Sequence, residues 1–219
     1  MSHNKFLISD THFGHENVIH FTACDGMPMR PFADVREADE EMISRWNSVV
    51  RPQDYVYHLG DVAMAQQALH RVLPRLNGHK RLVMGNHDIY HHKVYLQYFE
   101  KIFGIKVLEG LILTHIPLHP RSVGSRFYGN VHGHLHANSS RTPWTDYLGD
   151  RYYNVSVECI DFTPVELSTV RDALIRRKEA SEFLKRNDSD REDDALPDPP
   201  PAPPPGGVRV LGGGEDFYF

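Results

Sequence analysis

Apolar positions along the 219 residues fall into short runs and longer amphipathic stretches, and the two kinds alternate. That alternation predicts an α/β arrangement rather than separate strand and helix domains. Lys5 to Ser9 (KFLIS), Asp54 to His58 (DYVYH) and Arg81 to Met84 (RLVM) read as strands. Asp34 to Val50 reads as a helix, with Asp34 as N-cap and Glu37 three positions on, a capping-box spacing. Pro52 stops it. Gln66 to Leu76 looks helical before Asn77-Gly78 turns the chain.

Farther along, IKVLEG and LILTHI predict a hairpin turning at Glu109-Gly110. Tyr128 to His132 and Tyr152 to Val157 are two more strands, and His91-His92 begin an exposed helical turn. Thr163-Pro164-Val165-Glu166 supplies a cap, a proline at the first helical position and a capping-box glutamate. A last helix is therefore expected from there to about Arg186. The chain then changes character: Asp193 to Gly207 (DDALPDPPPAPPPGG) is acidic and then proline-rich, the composition of a solvated polyproline II segment. We read residues 1–186 as one domain and 187–219 as a tail. The tail is either disordered or docks through Val208 to Leu211 or Phe217-Tyr218-Phe219 on this body, a neighbouring subunit or a partner.

The net charge of −5 resolves differently in the two parts. From Asn187 onward eight acids face Arg191 and Arg209, leaving 22 basic and 21 acidic groups over the first 186 residues. A near-neutral body lacks the basic excess by which proteins hold long nucleic acids. No run of about 18 apolar residues occurs, which excludes a transmembrane helix, and the start MSHNKFLISD is too short in apolar residues for a signal peptide. A cytoplasmic protein is expected. Cys24 and Cys159, far apart and without CxxC spacing, read as reduced, structural thiols.

Five strand candidates run directly into loops dense in Asp, Asn and His: Asp10-Thr11-His12, Gly60-Asp61, Gly85-Asn86-His87-Asp88, Thr114-His115 and Gly133-His134-Leu135-His136. In α/β folds the carboxyl ends of strands converge on one crevice, so residues distant in sequence can meet there. As unrelated turns, all five clusters would have to follow apolar runs independently. Their three aspartates, one asparagine and five histidines offer oxygen and imidazole nitrogen without thiolate, a set suited to Mn, Fe, Zn or similar ions.

The ordered series DTH, GD, GNHD, TH and GHLH, spanning Ser9 to His136, resembles the motifs of the calcineurin-like metallophosphoesterases. The following NVSVECIDFTPVEL, Asn154 to Leu167, resembles their closing strand and helix. The resemblance implies a four-layer αββα fold: a two-sheet sandwich flanked by helices. It implies two divalent ions, Mn first, with Fe, Zn or Ni as alternatives. Asp10, His12 and His136 would hold one ion, Asn86, His115 and His134 the other, and Asp61 would bridge them. A metal-bridging hydroxide would attack the phosphate, with His87 as the proton donor to the leaving group. Asp88 would shape the loop. In the phosphatase branch the GD motif extends to GDxxDR and its second Asp orients the catalytic histidine; here Met64 stands at that position. That departure favours a phosphodiesterase, or a phosphoesterase acting on activated monoesters, over a protein phosphatase.

Asn86, His15, Arg121 and Arg126 are the candidates for substrate contact. His15 and His58 lie close to metal motifs, yet each also reads as ordinary surface or packing. Arg121 and Arg126 sit in a loop between His115 and His134, where arginine can grip phosphate or simply be solvated. His132 falls to packing or support. A small phosphate ester, nucleotides among the options, is the expected substrate. A metal-dependent nuclease and an assembly scaffold of the same fold stay open as alternatives, as do a homo-oligomer and a tail-mediated protein contact.

Overall fold

On β1 (Lys5–Ile8) Phe6 and Ile8 enter one apolar core and Leu7 enters another, because side chains of a strand alternate faces and both faces here are covered. The computed structural model describes residues 3–23, 26–138 and 148–192. Residues 1–183 form one compact unit; of the second, residues 184–219, only helix as far as Glu192 is described.

The first sheet runs β4-β3-β2-β1-β9. Within it β2 (Tyr55–His58), β3 (His79–Val83) and β4 (Lys101–Phe103) continue parallel from β1, and β9 (Val165–Glu166) lies antiparallel on its other edge. The helices α1 (Val35–Val49) and α2 (Gln66–Val72) connect the first three strands. Met42, Ile43 and Trp46 of α1, with Leu69 and Val72 of α2, pack on Phe6, Ile8, Val56 and Leu82. At the start of α1 Asp34 Oδ1 accepts from Glu37 N at 2.8 Å, and Glu37 Oε2 accepts from Ala33 N, one residue before the cap.

The second sheet runs β5-β6-β7-β8. Its hairpin joins β5 (Lys106–Leu108) to β6 (Leu111–Leu113) through Glu109 and Gly110 at φ 48° and 80°. Two positive φ values are what a two-residue turn of the I′ type requires. Then β7 (Gly129–His132) and β8 (Tyr152–Asn154) pair parallel to β6. Leu111, Leu113 and Val131 meet Leu7, Tyr57, Leu59 and Val83 between the sheets, joined by Leu167, Val170 and Leu174 of α5 (Leu167–Glu192). On the outer face Ile112 packs with Tyr152 and with Val123 of the short α4 (Pro120–Val123). The result is the expected sandwich of two sheets with flanking helices. His91 caps the single turn α3 (His92–Tyr95), as expected, by accepting from Lys93 N.

Some boundaries differ from expectation. Thr163 to Glu166 do not open the last helix: Val165 and Glu166 pair with Leu7 and Phe6, and α5 begins only at Leu167 and runs to Glu192. A free sheet edge beside β1 outweighed a local capping pattern. β8 ends at Asn154, with a 3-10 turn at Val157–Cys159. α2 gives way to a 3-10 turn containing Pro74. The three-residue strand β4 has no counterpart in the sequence reading. Cys24 and the acidic and proline-rich tail from residue 193 lie outside the described residues. Among those described, no helix is long and apolar enough to cross a membrane.

Candidate metal centre

The two sheets join at Ser9, whose N–H donates to Val155 O and whose carbonyl accepts from Val157 N. This puts the loop after β1 against the end of β8. The same loop is zipped to the one after β2: Asp10 N, His12 N and Phe13 N donate to the carbonyls of Gly60, Asp61 and Val62. His58, buried completely, adds a tie. Its Nδ1 accepts from Gly60 N, so Nε2 carries the proton and donates to Thr11 Oγ1, which donates in turn to Val62 O. Burial holds His58 neutral, its pKa pushed down to about 3. The Asp88 carboxylate accepts from Gly85 N, Asp61 N and Val62 N, locking the loop after β3 to the one after β2.

Two groups of candidate ligands result: Asp10, His12 and His136, and Asp61, His115 and His134. Asp10, His12, Asp61, His134 and His136 all have left-handed backbones, at φ 59°, 46°, 56°, 69° and 50°. Non-glycine residues rarely adopt that conformation, and its concentration here is the strain expected where loops are bent to aim side chains. Gly133 belongs to the same design: a Cβ there would overlap Ser9 Oγ and Asp10 Oδ2.

The tautomers can be assigned from the partners. His115 Nδ1 lies 2.8 Å from Leu59 O, a pure acceptor, so Nδ1 bears the proton. Nε2 is then faced by Asn86 Oδ1 at 2.9 Å, Asp61 Oδ2 at 3.3 Å and His134 Nδ1 at 3.2 Å. One added proton would satisfy one of these acceptors; a divalent cation would satisfy them together. In the other group His136 Nδ1 donates to Glu158 Oε2 at 3.0 Å, leaving Nε2 toward Asp10 Oδ1 at 3.8 Å. His12 Nε2 stands 4.0 Å from that oxygen and 3.7 Å from Asp61 Oδ2. The ligand atoms of each group all lie within 4.8 Å of one another, close enough to converge on one ion. Asp61, of the second group, also faces the first. Its Oδ1 accepts from His87 N at 2.8 Å, and its Oδ2 faces His12 and His115.

The electrostatics suit cation binding. Burial, assisted by His136, pushes His12 down to about 3, so it enters as a neutral imidazole. Burial alone would raise Asp61, but the hydrogen bond and charge of His115 and the His87 N–H hold it at about 2. Burial raises Asp10, whose Oδ2 accepts from Ser156 Oγ and His134 N. Burial likewise opposes charge on His136, yet the bond to Glu158 outweighs it and the pKa rises.

A family model described as calcineurin-like phosphoesterase matches residues 6–207, a span that contains every one of these side chains. The chain belongs to the calcineurin-like phosphoesterases. An uncharacterized protein of Methanocaldococcus jannaschii is 36% identical over 170 residues, covering 75% of this chain and 88% of that protein. The Gene 66 protein of Mycobacterium phage L5 is 30% identical over 159 residues, 67% of this chain and 65% of its own length. A solved structure, a protein of unknown function from Aquifex aeolicus, matches with a TM-score of 0.61 at 27% identity, over 77% of this chain and 98% of that one. With two ligand groups in this family, the chain is a metal-dependent hydrolase of phosphate esters.

Around this phosphoesterase centre lie two clefts. One, about 220 Å³, is lined by His12, His15, Val18, Phe21, Met64, His87 and His136. The other, about 350 Å³, includes Asn86, His115, Met84, Ile105, Ile116 and Leu118. A larger cavity of about 660 Å³ along α1 shares no residue with the ligand groups. His87 is exposed, lies edge-on to His12 at 5.5 Å, and its ring has no hydrogen-bond partner among the described residues. Met64, where the phosphatase branch carries Asp, lines the same cleft. Arg121 and Arg126 are exposed and line neither cleft; Arg126 stacks over Phe127. His132, buried, has Nδ1 on Gly133 O and packs against Tyr152.

Sequence reasoning missed two residues. Arg30 is 1% exposed and spends its guanidinium on Thr11 O, Asp10 O and Glu158 Oε1. Glu158 in turn orients His136. A ligating histidine tied to a carboxylate is a recurrent means of fixing ring and tautomer. Only Arg30, with basic character in an otherwise apolar stretch (GMPMRPF), left any trace in the sequence.

Proposed function

We propose that this chain hydrolyses phosphodiesters with two Mn²⁺ ions, one held by Asp10, His12 and His136, the other by Asn86, His115 and His134, with Asp61 shared. The observation that carries the diester reading is the pair of clefts, one against each ligand group. A monoester has one arm to place; a diester has two. Bound cations would neutralise the phosphate oxygens and supply an acidified water as nucleophile. The carboxylate and amide oxygens of Asp10, Asp61 and Asn86 suit manganese.

The protein's own part is positioning and proton transfer. Asp61 holds the two ligand groups in one register. His87, its ring unengaged, donates a proton to the departing oxygen. No carboxylate fixes its tautomer at the Met64 position, so esters with stable, acidic leaving groups should suffer least. The catalytic domain is taken to end near residue 186, with 187–219 as an appendage, and a cytoplasmic location fits this chemistry.

The test uses protein stripped of metal and refilled with Mn²⁺. It should cleave bis-4-nitrophenyl phosphate with higher kcat/KM than 4-nitrophenyl phosphate, and on a diester with a poor leaving group, methyl phenyl phosphate, His87→Ala should lose turnover while keeping its metal. Preference for the monoester, or an unimpaired His87→Ala, would contradict the reading.

A further inference from the structure

The two clefts differ in ways that indicate which arm of a diester enters each, an inference that rests on the diesterase reading above. The smaller cleft contains His87. A proton donor must come within about 2.6–3.2 Å of the oxygen it protonates, so the leaving arm has to project to that side. There it meets Val18, Met64, His15 and Phe21. The rings of His15 and Phe21 stand 5.9 Å apart at 57°, and Phe21 is 49% exposed, so part of its ring is open to a ligand. The volume of about 220 Å³ is below the roughly 300–1,000 Å³ that holds drug-sized molecules. It has room for one ring system.

The larger cleft, beside Asn86 and His115, is walled by aliphatic side chains. Ile105 and Ile116, 57% and 53% exposed, line this one cleft together and leave apolar surface open beside a polar centre. Among the described residues neither cleft is lined by a lysine or arginine, so the described walls offer no such cation to a second phosphate.

We propose that the substrate is a diester with two uncharged arms: a compact aromatic leaving group seated against His15 and Phe21, and an apolar retained group seated against Ile105 and Ile116. Water adds to phosphorus and gives a proton up to solvent, the bond from phosphorus to the aromatic arm's oxygen breaks, and that oxygen takes a proton from His87, which regains one from solvent. The retained arm leaves as its phosphate monoester.

The experiment compares methyl 4-nitrophenyl phosphate with phenyl 4-nitrophenyl phosphate, which share a leaving group and differ in the retained arm, on the full Mn²⁺-loaded chain. Phe21→Ala should raise KM about 5-fold for both esters, the loss of one aromatic contact. Ile116→Ala should leave the methyl ester's KM within about 2-fold and abolish the lower KM of the phenyl ester. Apart from turnover, 4-nitrophenol should give a saturation-transfer NMR signal that Phe21→Ala at least halves and Ile116→Ala spares. Exchanged effects of the two variants, or unchanged KM in both, would overturn the arm assignment while leaving diesterase activity intact. Absence of wild-type turnover on both esters would overturn the diesterase reading and this inference with it.

Discussion

The Arg30 guanidinium meets the Glu158 carboxylate at 2.9 Å with both side chains almost wholly buried, 128 residues apart in sequence. The other oxygen of Glu158 holds His136 Nδ1, so a buried ion pair stands directly behind a candidate metal ligand. Arg30 also grips the carbonyls of Asp10 and Thr11, which ties both arms of the first ligand group to one planar cation.

Glu158→Gln should therefore weaken the metal at Asp10, His12 and His136 by about 10- to 100-fold, the usual cost of losing such a supporting carboxylate. The metal at Asp61, His115 and His134 should be retained. Metal counts after graded chelator dialysis check this: two ions per wild-type chain should fall to one in the variant at chelator levels that the wild type withstands. Arg30→Ala should also cost about 3–5 kcal/mol of stability, because it leaves the Glu158 charge buried without a partner.

Gly133→Ala tests the close approach of β7's end to the first loop. The added Cβ would overlap Ser9 Oγ and Asp10 Oδ2. Forcing extra volume into a packed site costs about 1–3 kcal/mol. For a chain of this size the melting temperature should drop roughly 2–4 °C per kcal/mol, with weakened metal binding at Asp10.

His58 should leave a signature in the pH dependence of stability. Burial depresses its folded pKa to about 3 from 6.5. Between these values the unfolded chain binds more protons than the folded one. The contribution is complete above pH 6.5 and is lost as the pH falls toward 3. In metal-free protein His58→Gln should thus flatten the slope of unfolding free energy between pH 6 and 4 by about one proton, or ~1.4 kcal/mol per pH unit. Urea unfolding at several pH values measures it; an unchanged slope would mean that His58 is not held neutral.

The candidate ligand positions were legible because apolar strands ended abruptly in Asp, Asn and His, and strand ends of one fold share an edge. The hairpin was legible because Glu109 and Gly110 satisfy a local turn rule. What could not be read depends on distant partners. Thr163-Pro164 carries a sound capping pattern, but Val165 and Glu166 found an open edge on β1, and pairing there outweighed the local preference. Three-residue β4 has too little pattern to register. Glu158 looked like one more acidic residue, since its meaning lies in contacts to Arg30 and His136 made only by folding.

Asp61 Oδ2 lies 3.7 Å from His12 Nε2 and 3.3 Å from His115 Nε2, the position from which it would join the two ligand groups into one binuclear centre. Electron paramagnetic resonance of the Mn²⁺-titrated chain, residues 1–219, tests it most directly. At two equivalents the spectrum should show a spin-coupled pair, as expected of ions about 3.5–4 Å apart, and Asp61→Asn should abolish the coupling. A six-line signal of isolated Mn²⁺ at full loading, or saturation at one equivalent, would contradict the account.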